Sequence, residues 1–240
     1  MPFKNLAKRI NMKTVGIIGG LGPEATTKFY LEVISGCTKS NQRDHPSILI
    51  YSVPLPLKLE KECILDAQNE EKCIPYLLNA AKILEKGGAD FIVMPCNSLH
   101  LFIEEIRRAV KIPVLSIVEE TIKHLNNNKI KAVGVLATSI TINNGLYQNQ
   151  LEANGIKNIN PDELYQTELS KIIYKLVIDD YTEADKDMFN DISGNLIRKG
   201  AKSIILACTD LQLLSPFNDK VKFIDTMQVL VDTTIRELEK

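Results

Sequence analysis

Short, continuous apolar runs alternate along the chain with longer stretches whose apolar positions recur at helical spacing. The runs predict buried strands at residues 14–18, 47–53, 91–95, 113–117, 132–137, 203–207 and 221–225. The stretches between them predict helices near residues 23–35, 73–86, 99–110, 119–126, 143–154, 164–177, 186–199 and 228–238. Strands without a polar face that alternate with helices are typical of a parallel α/β fold.

The pattern restarts after three asparagines at residues 126–128. The run at 132–137 repeats the first run, with Gly134 at the place of Gly16. We therefore expect an α/β fold of two pseudo-symmetric parallel α/β domains with the active site between them. The first domain is assigned to residues 13–115 plus 222–240, the second to residues 116–221, and residues 1–12 to an N-terminal extension.

One strand of each half ends at a cysteine that small polar residues follow. Cys96 comes after the run at 91–95, and Cys208 after the run at 203–207. Ligands of parallel sheets bind beyond the carboxyl ends of the strands, and amides at a helix N-terminus favour a thiolate. We therefore expect both thiols at one substrate site, with pKa values below that of a free cysteine. The residues expected to hold a substrate carboxylate are Asn97, Ser98 and Thr209.

Two opposed thiols suit a proton transfer in which one removes the α-proton of an amino acid and the other protonates the opposite face. A cysteine that acts alone as a nucleophile normally needs a histidine base. His100 lies about one helical turn after Cys96, where it either contacts the cysteine or lies on the helix surface. A cysteine at a strand end can also be a small buried hydrophobe. The repeat argues against this for Cys96 and Cys208, whereas it is the preferred interpretation for the other cysteines.

Composition narrows the classes of partner. The 240 residues carry a net charge of −1, so no basic field attracts nucleic acid or an anionic membrane. No apolar run approaches the ~20 residues of a membrane span, and the first residues lack the apolar core of a signal peptide. The five cysteines show no zinc-type spacing. We expect a cytoplasmic protein with reduced thiols, no metal, and no nucleic-acid or membrane partner.

Four motifs, in order, resemble the aspartate/glutamate racemase family. They are GGLGPEAT at residues 19–26, PCNSLH at 95–100, LAT at 136–138 and ACTDL at 207–211. The resemblance covers nearly the whole chain after residue 13. It implies a racemase that interconverts L- and D-aspartate, or glutamate, with no cofactor and in particular no pyridoxal phosphate. It also implies that the protein forms a homodimer and binds a small amino acid as its substrate.

The resemblance assigns roles to individual residues. Cys96 and Cys208 correspond to the thiols that act as acid and base on the two faces of the α-carbon. The positions of substrate contact correspond to Leu21, Asn97, Ser98, Thr138 and Thr209.

Two departures from the family pattern concern the side chain of the substrate. Members that act on aspartate often have Pro-Asp-Arg where this chain has Pro-Leu-Lys at residues 56–58. We expect Lys58 to replace that arginine in binding, without its bidentate fork. Members also tend to have a lysine a few residues after an Ile-Tyr pair, and here that place falls near Ile178 and Asp179. These departures bear on the choice of substrate rather than on racemisation.

Three other interpretations stay open. The pattern Gly-x-Gly-x-x-Ala at residues 20–25 follows a strand and opens a helix, as in dinucleotide-binding proteins. The next strand, however, ends without an acidic residue that would bind a ribose. The same fold serves lyases and decarboxylases that use one thiol. A family member can also keep the fold as a ligand-binding or regulatory protein.

Overall fold

Two parallel sheets form the protein, as the sequence predicts. The computed structural model describes residues 13–41, 45–214 and 221–240. The expected extension at residues 1–12 therefore lies outside the described residues.

The first sheet has the order β2-β1-β3, so β1 lies in its centre. Its parallel strands are β1 (Thr14–Gly19), β2 (Ser47–Ser52) and β3 (Phe91–Val93). The run at 113–117 contributes an isolated bridge between Val114 and Ile92 instead of the full strand that was predicted.

The second sheet repeats this arrangement and adds one strand at its edge. Its order is β5-β4-β6-β7, again all parallel. The strands are β4 (Ala132–Ala137), β5 (Lys157–Ile159), β6 (Ser203–Ala207) and β7 (Lys222–Asp225). The sequence analysis misses β5 because its three residues, Lys-Asn-Ile, form no apolar run.

Helices connect the strands on both sides of the sheets. They are α1 (Pro23–Asn41), α2 (Leu57–Lys61), α3 (Ile74–Lys86), α4 (Ile103–Ala109), α5 (Ile117–Asn127), α6 (Ser139–Asn143), α7 (Gln148–Ala153), α8 (Glu163–Val177), α9 (Glu183–Arg198) and α10 (Thr226–Leu238). The single helix predicted at 143–154 is two short helices, because Gly145 adopts a left-handed φ of 64° between them. Within the described part of the chain, no helix combines the length and apolarity needed to cross a membrane.

Strand β7 corrects one part of the domain assignment. The sequence analysis places residues 222–225 with the first domain, but β7 pairs with β6 in the second sheet. Helix α10 then packs against α1 of the first half. The chain therefore returns to the first half one strand later than expected.

Two glycines show that the halves are equivalent in detail. Gly16 in β1 pairs with β3, and Gly134 in β4 pairs with β6. A Cβ placed on Gly16 would lie 3.1 Å from the Cβ of Leu84 in α3, and one on Gly134 would lie 3.2 Å from the Cβ of Leu196 in α9. In each half the missing side chain lets a helix pack closely on the central strand.

A shared apolar core joins the two sheets. The strand residues in it are Val15, Ile17 and Val93 from the first sheet and Val133, Val135 and Ile205 from the second. Residues of α5 and α10 belong to the same core, and a separate apolar cluster lies in each half besides it. The turns that follow β3 and β6 consequently meet at one cavity between the halves.

Candidate active site

The cavity between the halves collects most of the predicted site residues. Its volume of about 70 Å³ is several times the roughly 10–15 Å³ that one water molecule needs, so it accommodates a small ligand. The predicted residues that line it are Leu21, Cys96, Asn97, Ser98, Thr138, Cys208 and Thr209. Among the residues that the structure describes, no three histidine, cysteine or acidic side chains converge as metal ligands.

Cys96 lies in the turn after β3, where the chain enters the 3₁₀ segment Ser98–Phe102. Burial raises the pKa of the Cys96 thiol to about 12, although the backbone amides of Leu99 and Ser98 donate hydrogen bonds to it and act in the opposite direction. The expectation that the following helix lowers this pKa is therefore wrong. A short 3₁₀ turn supplies too few amides to offset the loss of water around the sulfur.

His100 holds the backbone of the Cys96 turn and not its thiol. The ring is buried, and its Nε2 accepts a hydrogen bond of 3.1 Å from the backbone amide of Ile117. Nδ1 therefore carries the proton and donates it to the carbonyl oxygen of Cys96, 2.6 Å away. Burial lowers the pKa of His100 to about 4, so the ring is neutral. Of the two places expected for His100, the contact with Cys96 is the one found, but it is made to the carbonyl oxygen of Cys96 and not to the sulfur.

Cys208 ends β6 and has a carboxylate as its neighbour. Its thiol donates to Oδ2 of Asp210 over 3.6 Å. Burial, and next the charge of Asp210, raise the pKa of Cys208 well above its ordinary value. Burial also raises the pKa of Asp210 to about 6. The sequence analysis did not assign Asp210 to the site, although its position two residues after Cys208 was the available signal.

Three hydroxyl groups form a closed cluster that links the two halves. The Oγ of Ser98 lies 2.8 Å from Oγ1 of Thr138 and 3.1 Å from Oγ1 of Thr141. The two threonine oxygens are also 3.1 Å apart. Ser98 and Thr138 face the cavity, so these donors are placed to bind a substrate carboxylate. Thr141 was not predicted, because it lies in α6 rather than beside a strand end.

The amide of Asn97 is committed to the protein itself. Its Oδ1 accepts a hydrogen bond of 2.6 Å from the hydroxyl of Tyr147, and its Nδ2 donates to Oγ1 of Thr226 over 3.0 Å. Thr226 in turn donates to the carbonyl oxygen of Leu206 in β6. This buried chain of hydrogen bonds fixes the turn after β3 against the second sheet.

A segment of the first half supplies a wall that the sequence analysis missed. Glu60 in α2 lines the cavity, and burial raises the pKa of its carboxyl, as does the neighbouring Asp210. Cys63 and Cys73 also line the cavity, although a purely structural role was preferred for them. Their thiols are hydrogen-bonded to each other, and this bond and burial raise the pKa of Cys73.

Lys58 lies outside the cavity, which corrects its expected role. Its side chain is 89% exposed, and its Nζ lies 3.8 Å from Oε1 of Glu62. The helix α2 directs Lys58 to solvent and Glu60, two residues later, to the cavity. Where a protein cation was expected to bind the substrate side chain, the structure therefore has the carboxylate of Glu60.

Helix α8 does not supply a cation either. Lys175 forms an ion pair of 2.6 Å with Asp185, away from the cavity. Ile178, near the place of the family's lysine, is 48% exposed. The residues of α8 that line the cavity are apolar, Ile173 and Val177.

Comparisons with known proteins agree with this architecture. The family model of the Asp/Glu/Hydantoin racemases matches residues 18–234, which include both halves. The broad specificity amino-acid racemase RacX of Bacillus subtilis (strain 168) is 35% identical over 226 residues, or 92% of this chain and 96% of the relative.

Solved structures of aspartate racemases share the fold. The aspartate racemase of Picrophilus torridus is 26% identical, with a TM-score of 0.79 over 95% of each chain. An aspartate racemase homologue of Pyrococcus horikoshii OT3 is 27% identical, with a TM-score of 0.76 over 95% of this chain and 100% of the other. On its sequence and its two-domain fold, the chain belongs to the Asp/Glu/Hydantoin racemase family, among the amino-acid racemases.

Proposed function

We propose that this protein racemises a free amino acid with Cys96 and Cys208 as its two acid/base groups and without pyridoxal phosphate. One observation carries the proposal: the two thiols follow equivalent strands, β3 and β6, of opposite halves and line one cavity. A substrate between the halves exposes one face of its α-carbon to each thiol. Racemisation requires deprotonation on one face and protonation on the other, which a single thiol cannot perform.

The protonation states define the first step. Both cysteines are thiols because burial raises their pKa values, whereas Asp210, with a pKa of about 6, is ionised at neutral pH. Asp210 accepts the proton of Cys208, and the resulting thiolate removes the α-proton. The Cys96 thiol then protonates the opposite face and becomes a thiolate. That second form of the site acts on the opposite enantiomer.

The cavity also stabilises the carbanion that the deprotonation creates. Its negative charge spreads into the α-carboxylate, which the hydroxyls of Ser98, Thr138 and Thr209 are placed to hold. The α-ammonium group of the substrate adds a positive charge beside the thiols and lowers their pKa values on binding. The α-proton is only weakly acidic, and in this proposal groups of the protein, without a cofactor, stabilise the carbanion that its removal creates.

The names of the relatives support an amino acid as the substrate without fixing its side chain. Solved structures with this fold include an aspartate racemase, and a relative in Bacillus subtilis is named for broad specificity. Aspartate or glutamate, a cytoplasmic location and a homodimer remain predictions made from the sequence and the resemblance.

The nucleotide-binding alternative has little support at the glycine loop. The backbone amide of Gly20 already donates to Oγ1 of Thr26 over 2.9 Å. A Cβ on Gly22 would lie 3.4 Å from Oδ1 of Asp210, so a carboxylate faces the loop where a phosphate would bind. A lyase or decarboxylase with one working thiol differs from the proposal in a single testable respect, the need for the second thiol.

The test measures racemisation by circular dichroism and α-proton exchange in deuterated water by NMR. The wild-type protein is expected to deuterate the α-carbon with inversion, independently of added pyridoxal phosphate. Cys96→Ser and Cys208→Ser should each lower racemisation by about 10²–10⁴-fold, the contribution of a positioned acid or base. The control for both variants is Cys37→Ser, which changes a cysteine of α1 outside the cavity and should keep most of the activity.

One result would decide against the two-base mechanism. If either variant racemises its best substrate at close to the wild-type rate, a reaction with one thiol becomes the better account. Exchange of only one enantiomer in each single variant, through the thiol that survives, is the expected signature of the proposal.

A further inference from the structure

The described part of the cavity wall carries carboxylates and no cationic side chain. Among the described residues that line it, the charged side chains are those of Glu60 and Asp210. Asp210 is engaged by the Cys208 thiol, whereas no described lysine, arginine or histidine forms an ion pair with Glu60. A second carboxylate on the substrate would therefore enter beside two carboxylates without a counter-charge, which is unfavourable in a buried site.

The two lysines closest to Glu60 along the chain are engaged elsewhere. Lys58 points to solvent and pairs with Glu62. Lys61 lies over the ring of Tyr174, 5.8 Å from its centroid. Recruiting either lysine into the cavity would break these contacts and remove a solvated charge from water.

Glu60 lines the cavity together with apolar side chains. The charge of Asp210 raises the pKa of Glu60, and the charge of Glu60 raises the pKa of Cys96, so Glu60 lies within electrostatic range of both groups. The apolar residues that line the cavity with it include Leu55, Ile64, Ile173 and Val177. An aliphatic stem fits against such a wall, while a cationic group at its end reaches a carboxylate.

We propose that the cavity selects amino acids with a basic side chain, such as lysine and ornithine, over aspartate and glutamate, and that Glu60 binds the side-chain cation. The inference rests on the proposed racemase function and names its substrate class. The hydroxyls of Ser98, Thr138 and Thr209 hold the α-carboxylate, and Glu60 holds the charge of the substrate side chain. Burial raises the pKa of Glu60, and a cationic side chain would favour its ionised form.

The experiment compares substrates that differ in one group. kcat/KM is measured for L-lysine, L-ornithine, L-norleucine, L-glutamate and L-aspartate. Norleucine keeps the stem of lysine without its ammonium group. Lysine should exceed norleucine by about ten- to hundredfold, the effect of a hydrogen bond to a charged group. The acidic amino acids should be the poorest substrates.

Glu60→Gln tests the residue itself. It should lower kcat/KM for lysine far more than for norleucine, so that the ratio of lysine to norleucine falls by about ten- to hundredfold, toward one. Glu60→Asp, which keeps the charge, should retain part of the advantage. The matched control is Glu71→Gln, which removes a charge from an exposed residue outside the cavity and should change no ratio.

The outcomes separate this inference from the proposed function. A wild-type protein that racemises acidic amino acids as well as lysine overturns the inference and leaves the proposed function standing. An unchanged lysine-to-norleucine ratio in Glu60→Gln overturns the role of Glu60. If no amino acid of the panel exchanges its α-proton, the proposed function fails, and the inference fails with it.

Discussion

The turns after Cys96 and Cys208 occupy equivalent places in the two halves, yet they surround their thiols with different groups. The Cys208 thiol contacts the carboxylate of Asp210, whereas the Cys96 sulfur accepts hydrogen bonds from the backbone amides of Leu99 and Ser98. The repeated fold therefore gives similar positions but unequal chemistry. Cys208 has a carboxylate partner and one backbone donor, that of Asp210, whereas Cys96 has two backbone donors.

The anchoring of the two turns differs as well. Four residues after Cys96, the buried His100 joins the turn to the first amide of α5. Four residues after Cys208, the partly exposed Gln212 instead accepts a hydrogen bond from Lys28. The two halves thus have equivalent strands but differently anchored turns. Substitutions in each turn should show whether the two thiols have different roles.

The largest effect is expected from Asp210→Asn. This change keeps both thiols and the shape of the cavity but removes the base that accepts the Cys208 proton. kcat/KM for racemisation should fall by about 10²-fold or more. The control is Glu24→Gln, which removes a charge that acts on Asp210 but lies outside the cavity, and which should preserve most of the activity.

The equilibrium constant between the enantiomers is one, so Asp210→Asn must lower kcat/KM equally in both directions. A difference between the roles of the two thiols is therefore measured by isotope effects. With α-deuterated substrates, Asp210→Asn should increase the primary isotope effect for the enantiomer that Cys208 deprotonates more than for the other. Equal isotope effects for both enantiomers, or a rate close to wild type, would contradict the division of roles.

The next effect is a pH dependence that arises from Asp210 and should appear in kcat/KM for both enantiomers. Burial raises the pKa of Asp210 from its ordinary value near 3.8 to about 6. Below that pH the carboxyl is protonated and cannot accept the Cys208 proton, so kcat/KM should fall by about tenfold per pH unit. A profile of kcat/KM between about pH 4.5 and 8 measures this limb. Asp210→Asn should remove the limb, and Glu60→Gln should retain it. Persistence of the limb in Asp210→Asn would assign it to another group.

Much of this arrangement was predictable from the sequence, because it depends on local patterns. Buried strands are apolar runs, and a cysteine at the end of such a run lies at the edge where parallel sheets bind ligands. The resemblance added Leu21 and Thr138, which line the cavity as expected. These features need no knowledge of how the two halves pack.

The features that the sequence analysis missed depend on burial and on tertiary packing. Glu60 points into the cavity because of how α2 packs against it. The local sequence does not distinguish Glu60 from Lys58, since both are charged residues of the same short helix. The raised pKa of Cys96 reflects the water that both halves exclude. Strand β5 forms because it pairs with β4, and its own residues carry little strand preference.

A smaller effect should separate the anchors of the two turns. His100→Ala leaves the amide of Ile117 and the carbonyl of Cys96 buried without partners, which should lower the free energy of unfolding by about 1–3 kcal/mol. Gln212→Ala removes a partly exposed hydrogen bond and should change it by about 0.5 kcal/mol or less. Urea unfolding followed by circular dichroism measures both variants. Equal losses would mean that the two turns are anchored alike.

The smallest effect is expected from Lys58→Ala. The position of Lys58 matters to the comparison of the thiols because a lysine inside the cavity would change the surroundings of Cys96. Glu60 on the same helix raises the pKa of Cys96. A lysine that swung into the cavity would oppose that charge and make the Cys96 thiolate easier to form. Because Lys58 is 89% exposed and pairs only loosely with Glu62, Lys58→Ala should leave kcat/KM for acidic, neutral and basic amino acids within about twofold of wild type. A KM for aspartate or glutamate that rises clearly in Lys58→Ala alone would show that the lysine enters the cavity during turnover, and the two thiols would then work in more similar surroundings than the structure shows.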